Sequence, residues 1–238
     1  MSGNLRTGRL DCARRCDHAH YNADMQHWHL RHVRSLVYAA LLLCGMGIIA
    51  ASAMDAENTT EALVFMRQLV GLWALGFLLV AMLVSPMTAA IPKLPLKTHL
   101  ILARRAIGVS AFVFAAAHVA AFAVPILRRN WRELYAPGTV WIIGLLLGLS
   151  AFTSMALLAL TSSDRKVVRL GGKRWKRLHR LTYAILPLVL IHALLLGSDF
   201  GLNRAPDVKA ERDFGALIGF GLLSAAWLAL FLMAGARR

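Results

Sequence analysis

The chain has 238 residues, of which 58% are hydrophobic and only 16% charged, with a mean hydropathy of +0.58. Soluble domains carry about 25% charged residues, so this composition argues against a water-soluble globule. It argues equally against a soluble nucleotide-cofactor domain, because neither GxGxxG nor GxxxxGK[ST] occurs. Lysine and arginine number 27 against 12 acids, a net charge of +15. The basic residues lie between long apolar runs, which is a signal of membrane topology and not of a nucleic-acid-binding face.

The first 32 residues form a polar, basic tail, read as disordered and solvated. Cys12, Cys16, His18 and His20 have the spacing of a metal tract, but the tail lacks the apolar residues that a small metal fold packs around its ion. With Cys44 the cysteines total three, too few for a disulfide framework.

Crossing about 30 Å of hydrocarbon takes ~20 apolar residues. Six runs meet this, at about Val33–Met54, Leu63–Ala89, Ile101–Leu127, Val140–Thr161, Leu178–Leu196 and Phe214–Ala234. The expected fold is an all-α integral membrane protein with a six-helix bundle over 33–238. Ala51-Ser52-Ala53 could be a signal-peptide cleavage site, but the long polar lead and long apolar run favour a retained helix. Twenty of the 27 basic residues fall on one side: in the tail, between spans two and three, between spans four and five (eight over Arg165–Arg180), and at Arg237 and Arg238. That bias predicts a multi-pass membrane protein with both termini in the cytoplasm. The Arg128–Arg132 cluster is the exception, read as a docking or lipid-headgroup patch. Asp55–Glu61 and Ser198–Asp213 are too short to form domains. The pairs Gly144-x3-Gly148 and Gly215-x3-Gly219 suggest close helix packing.

Three histidines fall in membrane segments: His118 in span three, and His179 and His192 in span five. An imidazole in hydrocarbon needs a partner, so each is a functional candidate. The competing reading, a helix–helix hydrogen bond, suits a single histidine better than an arrangement of several. Arg104 stands fourteen residues before His118, ~21 Å away along the axis and within about 40° of the same face. His179 and His192 are thirteen apart, about 20 Å, but roughly 140° apart on an ideal helix, with Pro187 between them as a candidate for changing the winding. Arg104 and His179 thus share an inner level, and His118 and His192 an outer one. Ligands facing each other at two levels suit stacked haems, and iron with two protein axial ligands has no open position for oxygen, which favours electron transfer. Small residues around His118 (Ala115–Ala117, Ala120, Ala121) would leave room for a porphyrin. Phe112, Phe114 and Phe122 could line it, although core or lipid contact is the commoner role for such aromatics.

Gly172-Lys173-Arg174-Trp175-Lys176-Arg177-Leu178-His179, followed by Tyr183 and His192, resembles the Gly-Lys-x-Trp-x-x-Leu-His…Tyr…His pattern of the MsrQ (YedZ) family. These are haem-binding membrane subunits of the bacterial protein-methionine-sulfoxide reductase system, within the ferric reductase-like transmembrane superfamily. Arg104-Arg105-x2-Gly108 ahead of His118, Ser85-Pro86 and Thr161-Ser162 also match, so the resemblance covers about residues 63–197. It implies a b-type cytochrome with one or two haems, in which His118 and His192 pair on one haem and His179 serves a second. The superfamily's eukaryotic reductases have a histidine where this chain has Arg104. Arginine stays protonated, so a salt bridge to a haem propionate is its more natural role than an iron bond.

The resemblance further implies an electron-transfer subunit rather than a stand-alone enzyme. It would take electrons from the quinone pool or a cytoplasmic flavin reductase, with quinone or FMN as the source, and pass them to a periplasmic molybdopterin-containing, MsrP-like reductase of methionine sulfoxide. The partners are then these two proteins and the lipid bilayer, with no nucleic acid. The alternatives are a haem-containing ferric or metal reductase component, which would share every haem residue, and a proton-coupled transporter without haem. The transporter is disfavoured by the absence of a repeated half or a pair of broken helices.

Overall fold

The computed structural model describes residues 32–33, 35–52, 54, 59–91, 93–129, 138–197 and 214–236. The Cys12–His20 tract, the remainder of the tail to Arg31, and residues 130–137 and 198–213 lie outside the described residues. So do the side chains of Arg128 and Arg129.

The described residues form helices: α1 (Ser35–Ser52), α2 (Thr59–Ala90), α3 (Lys97–Arg129), α4 (Thr139–Leu160), α5 (Asp164–Leu170), α6 (Gly172–His179), α7 (Thr182–Leu196) and α8 (Phe214–Ala236). Six spans result, because α6 and α7 together make one apolar crossing, Gly172–Leu196. The protein is an all-α, multi-pass membrane protein. At 33 residues α3 is about 50 Å long, well beyond the hydrocarbon thickness, so its basic ends reach past the apolar slab.

The helices pack as two layers. α2 and α3 form an antiparallel pair, α4 pairs with α7, and α8 lies on α2. Where the layers meet, Leu75, Leu78, Leu79 and Met82 of α2 interdigitate with Ala111 of α3, Met155 of α4, and Ile185 and Leu186 of α7. A second cluster joins Ile48 of α1 to Val70, Ala74 and Phe114 on the other side of the α2–α3 pair. Large side chains such as Leu43, Leu146 and Leu222 are exposed, as lipid-facing residues must be. The hydroxyl groups within α4 are satisfied inside the helix: Ser150, Thr153 and Ser154 donate to the carbonyls of Leu146, Leu149 and Ser150 at 2.7–2.9 Å.

At the end of the bundle that carries the basic loops, Ser163 caps α5 by accepting the Lys166 N–H at 3.4 Å. Gly171, with φ of +74°, turns the chain into α6. Asp164 forms an ion pair with Arg105, tying this segment to α3. Between α6 and α7 the winding tightens. Arg180, Leu181, Tyr183 and Ala184 each donate to the carbonyl three residues earlier. A turn with three residues per revolution advances ~120° per residue instead of ~100°, so about four such residues remove ~80° of the ~140° between His179 and His192. The adjustment that brings the two histidines toward one face thus lies at Arg180–Leu181, ahead of Pro187.

Leu79, 2% exposed, should be costly to truncate: Leu79→Ala is expected to lose about 2–5 kcal/mol. Lipid-facing Leu146→Ala should stay within about 0.5 kcal/mol of the parent. Equal losses in thermal unfolding in detergent would contradict the two-layer packing.

Candidate functional site

At the end of the bundle away from the basic loops, His118 of α3 and His192 of α7 face each other across the layer boundary. Their ring centroids are 6.2 Å apart and their planes are at 89°. Each ring is held from behind by the neighbouring helix of its own layer. His118 Nδ1 lies 2.9 Å from the Arg67 carbonyl of α2, and His192 Nδ1 lies 2.8 Å from the Gly144 carbonyl of α4. A carbonyl only accepts, so each Nδ1 carries the proton and each Nε2 is left as a lone-pair donor. One turn beyond each carbonyl stands a glycine that the ring overlies. A Cβ on Gly71 would sit 2.8 Å from His118 Nδ1, and one on Gly148 would sit 2.6 Å from His192 Nδ1. The same device, a carbonyl followed four residues later by a glycine, is therefore used once in each layer.

An imidazole nitrogen binds a transition metal at about 2.0–2.1 Å. A ring centroid lies about 1.1 Å behind that nitrogen, so two imidazoles on opposite sides of one ion place their centroids about 6.2–6.4 Å apart. The observed 6.2 Å meets that requirement. Backbone carbonyls behind both rings are the usual second-shell support of metal-ligating histidine.

The basic end holds a cavity of about 540 Å³, lined by Arg104 and Arg105 of α3, Ser85 of α2, Trp175 and His179 of α6, and Tyr183 of α7, among others. His179 Nε2 is buried without a hydrogen-bond partner. Its ring stacks on Trp175 at 4.1 Å, one helical turn back. The Trp175 Nε1–H donates to the Thr161 carbonyl at 3.2 Å. The Trp-x3-His spacing thus builds a platform that sets the histidine ring. Arg104 Nε donates to the Ala81 carbonyl at 3.1 Å, fixing its guanidinium to α2. A cavity with cations at its edge and one free imidazole nitrogen suits a ligand with an apolar body and anionic groups.

The four residues singled out in the sequence therefore fall at two levels, His118 with His192 and Arg104 with His179. The phenylalanines divide. Phe112 stacks on Phe152 at 5.6 Å, and Phe114 is buried in the α1-side cluster against Phe77; both are core residues. Phe122 lies near the paired histidines, beneath the Arg67 guanidinium. Gly144 and Gly148 do more than pack helices, since they seat His192, whereas Gly219 meets nothing within 4 Å. Gly71 and Arg67 were not anticipated. The only signal available for them was the recurrent four-residue spacing to a glycine on α2 and α4. Among the described residues no group of three or more His, Cys, Asp and Glu side chains could hold a metal ion.

Residues 70–190 match the model of the family described as ferric reductase-like transmembrane component. The chain belongs to this ferric reductase-like transmembrane family. The matched stretch contains Arg104, His118 and His179, and His192 lies two residues past its end. Among relatives of this ferric reductase-like chain, the heme-binding subunit MsrQ of protein-methionine-sulfoxide reductase from Herminiimonas arsenicoxydans is 30% identical over 67% of this chain and 71% of its own length. MsrQ from Caulobacter vibrioides is 36% identical over 53% of this chain and 58% of its own length. Magnetosome protein MamZ from Magnetospirillum gryphiswaldense is 31% identical over 76% of this chain but only 27% of its own length. The chain thus spans about a quarter of MamZ. The MsrQ matches agree with the resemblance carried by the Trp175–His179 block. No solved structure matches the chain.

Nitrogen NMR of imidazole-labelled, ligand-free protein should show His118 and His192 in the Nδ1-protonated tautomer. A predominantly Nε2-protonated form at either position would contradict the carbonyl contacts.

Proposed function

We propose that this chain is a haem-binding electron-transfer subunit, with His118 and His192 as the axial ligands of one b-type haem. The imidazole pair carries the reading: two rings at the centroid separation that one metal ion requires, each with its Nδ1 held by a carbonyl and its Nε2 left for a metal. The MsrQ relatives, which are heme-binding subunits, support the choice of haem. Such a haem supplies a one-electron Fe(III)/Fe(II) couple without an open coordination position. His118 and His192 would hold the iron, and the helices packed around them would keep water from it. His179 serves a second haem in the basic-end cavity, where Arg104 stands ready to pair with a propionate.

The orientation in the membrane rests on charge, and the direction of transfer on the resemblance to MsrQ. The basic-loop end, with both termini, is cytoplasmic and lies in the inner membrane. Electrons enter there from the quinone pool or a cytoplasmic flavin reductase. They leave from the His118–His192 end toward a periplasmic molybdopterin reductase of methionine sulfoxide, so the chain serves protein repair as one half of a two-protein system. A ferric or metal reductase component is the second reading, favoured by the family to which the chain belongs.

Purified from haem-replete cells, the protein should show redox-active, low-spin b-haem bands. His118→Ala and His192→Ala should each lose most of one haem, and His179→Ala a distinct fraction. A colourless preparation would overturn the proposal. Gly148→Ala should lower haem content severalfold, because its Cβ would collide with the His192 ring. Gly76→Ala, whose Cβ meets only Phe220 at 3.7 Å, should not. Co-reconstitution with candidate reductases, following reoxidation of the reduced protein, distinguishes the methionine-sulfoxide reading from the ferric one.

A further inference from the structure

Arg67 is a cation inside a membrane span, and among the described residues no carboxylate pairs with it. Its guanidinium lies over the Phe122 ring at 5.9 Å, and Phe122 in turn lies 6.3 Å from Trp141. An aromatic face offsets only part of the cost of dehydrating a guanidinium. Two more donors nearby are unmet: Gln68 Nε2 and Trp141 Nε1 are buried without hydrogen-bond partners. Gln68 shares a helical face with Gly71 and Leu75, the face of α2 turned toward the histidine pair and the core. Buried polar groups are normally satisfied, so two buried donors without partners near a guanidinium that no carboxylate pairs call for a common acceptor.

The depth of these donors is informative. Arg67 presents its carbonyl to His118, while its side chain tilts toward the N-terminus of α2 and reaches Phe122, one turn past His118 on α3. Trp141 lies one turn before Gly144, whose carbonyl holds His192. Both groups therefore sit about one turn beyond the imidazole pair, toward the end opposite the basic loops. A porphyrin held between the two histidines is apolar except for its two carboxylates, which extend a comparable distance from its centre.

We propose that Arg67, with Trp141 and Gln68, forms a carboxylate-binding site that takes the propionates of the haem at His118 and His192, and so orients that haem with its acidic edge toward the end opposite the basic loops. This rests on the haem reading above. Arg67 supplies a charge-assisted pair, and the indole N–H and carboxamide each supply one neutral hydrogen bond. A guanidinium facing an ionised propionate offsets its negative charge at the iron. Removing the guanidinium favours the ferric state and lowers the midpoint potential.

The test uses the full-length protein produced in haem-deficient cells and loaded in detergent with either haem or haem dimethyl ester. The parent should bind haem about tenfold or more tightly than the ester. Arg67→Leu should lose most of that preference and lower the midpoint potential, Arg67→Lys should recover part of both, and Trp141→Phe should have a smaller effect than Arg67→Leu. Should Arg67→Leu fail to accumulate, the difference in haem-over-ester preference between the parent and Trp141→Phe decides, since any propionate contact of Arg104 cancels in it; an unchanged preference in Trp141→Phe overturns the site. Equal binding of haem and ester by the parent overturns the site. So does a parent whose potential responds to added phosphate or chloride through Arg67, since the ligand would then be a free anion. A parent that binds haem through both histidines but shows none of these differences defeats this inference alone, whereas a parent that binds neither porphyrin defeats the haem reading with it.

Discussion

The arrangement depends on two hydrogen bonds, from His118 Nδ1 to the Arg67 carbonyl and from His192 Nδ1 to the Gly144 carbonyl. In a bilayer there is no water to satisfy an imidazole, so its first hydrogen bond must come from protein. Drawing that bond from a backbone carbonyl of the adjacent helix fixes three things together: the tautomer, the ring rotation and the helix spacing. The spacing is close enough that only glycine fits beneath each ring, at Gly71 and Gly148. Substituting either residue would disturb the imidazole before it disturbed the fold. The two rings then meet across the boundary between the α2–α3 and α4–α7 layers, and the Leu75–Met82 core holds those layers in register.

The two ends of the bundle solve different problems. The end opposite the basic loops presents two equivalent imidazoles, each supported in the same way. The basic end presents one imidazole on a tryptophan platform and a guanidinium anchored to α2. That asymmetry sets a guanidinium, Arg104, where the other end has a second imidazole. It gives the basic-end cavity a cationic lining suited to acidic groups and leaves His179 Nε2 as its free lone pair.

Much of the fold was legible because hydrophobic length is a strong signal: six long apolar runs became six crossings. Helix ends were less so. α3 extends to Lys97, before its apolar run begins, since lysine and arginine continue a helix readily into the headgroup region. The candidate site was visible as residue types at two depths. The facing of His179 and His192 was not, because the tightened turn at Arg180–Leu181 is a backbone event without a distinctive residue. Glycine roles were only partly legible for a related reason. A Gly-x3-Gly pair looks the same whether a helix, an imidazole or open space lies opposite it, as Gly148 and Gly219 illustrate. Arg67 escaped notice because a single arginine near a helix end looks like an interfacial anchor.

The most direct measurement is electron paramagnetic resonance of the oxidised, purified protein. Two neutral imidazoles on one ferric iron with ring planes at 89° should give a highly anisotropic low-spin signal, and that signal should disappear in both His118→Ala and His192→Ala. Absence of that highly anisotropic signal from the parent, or its survival in either variant, would contradict the pairing of these two histidines on one metal.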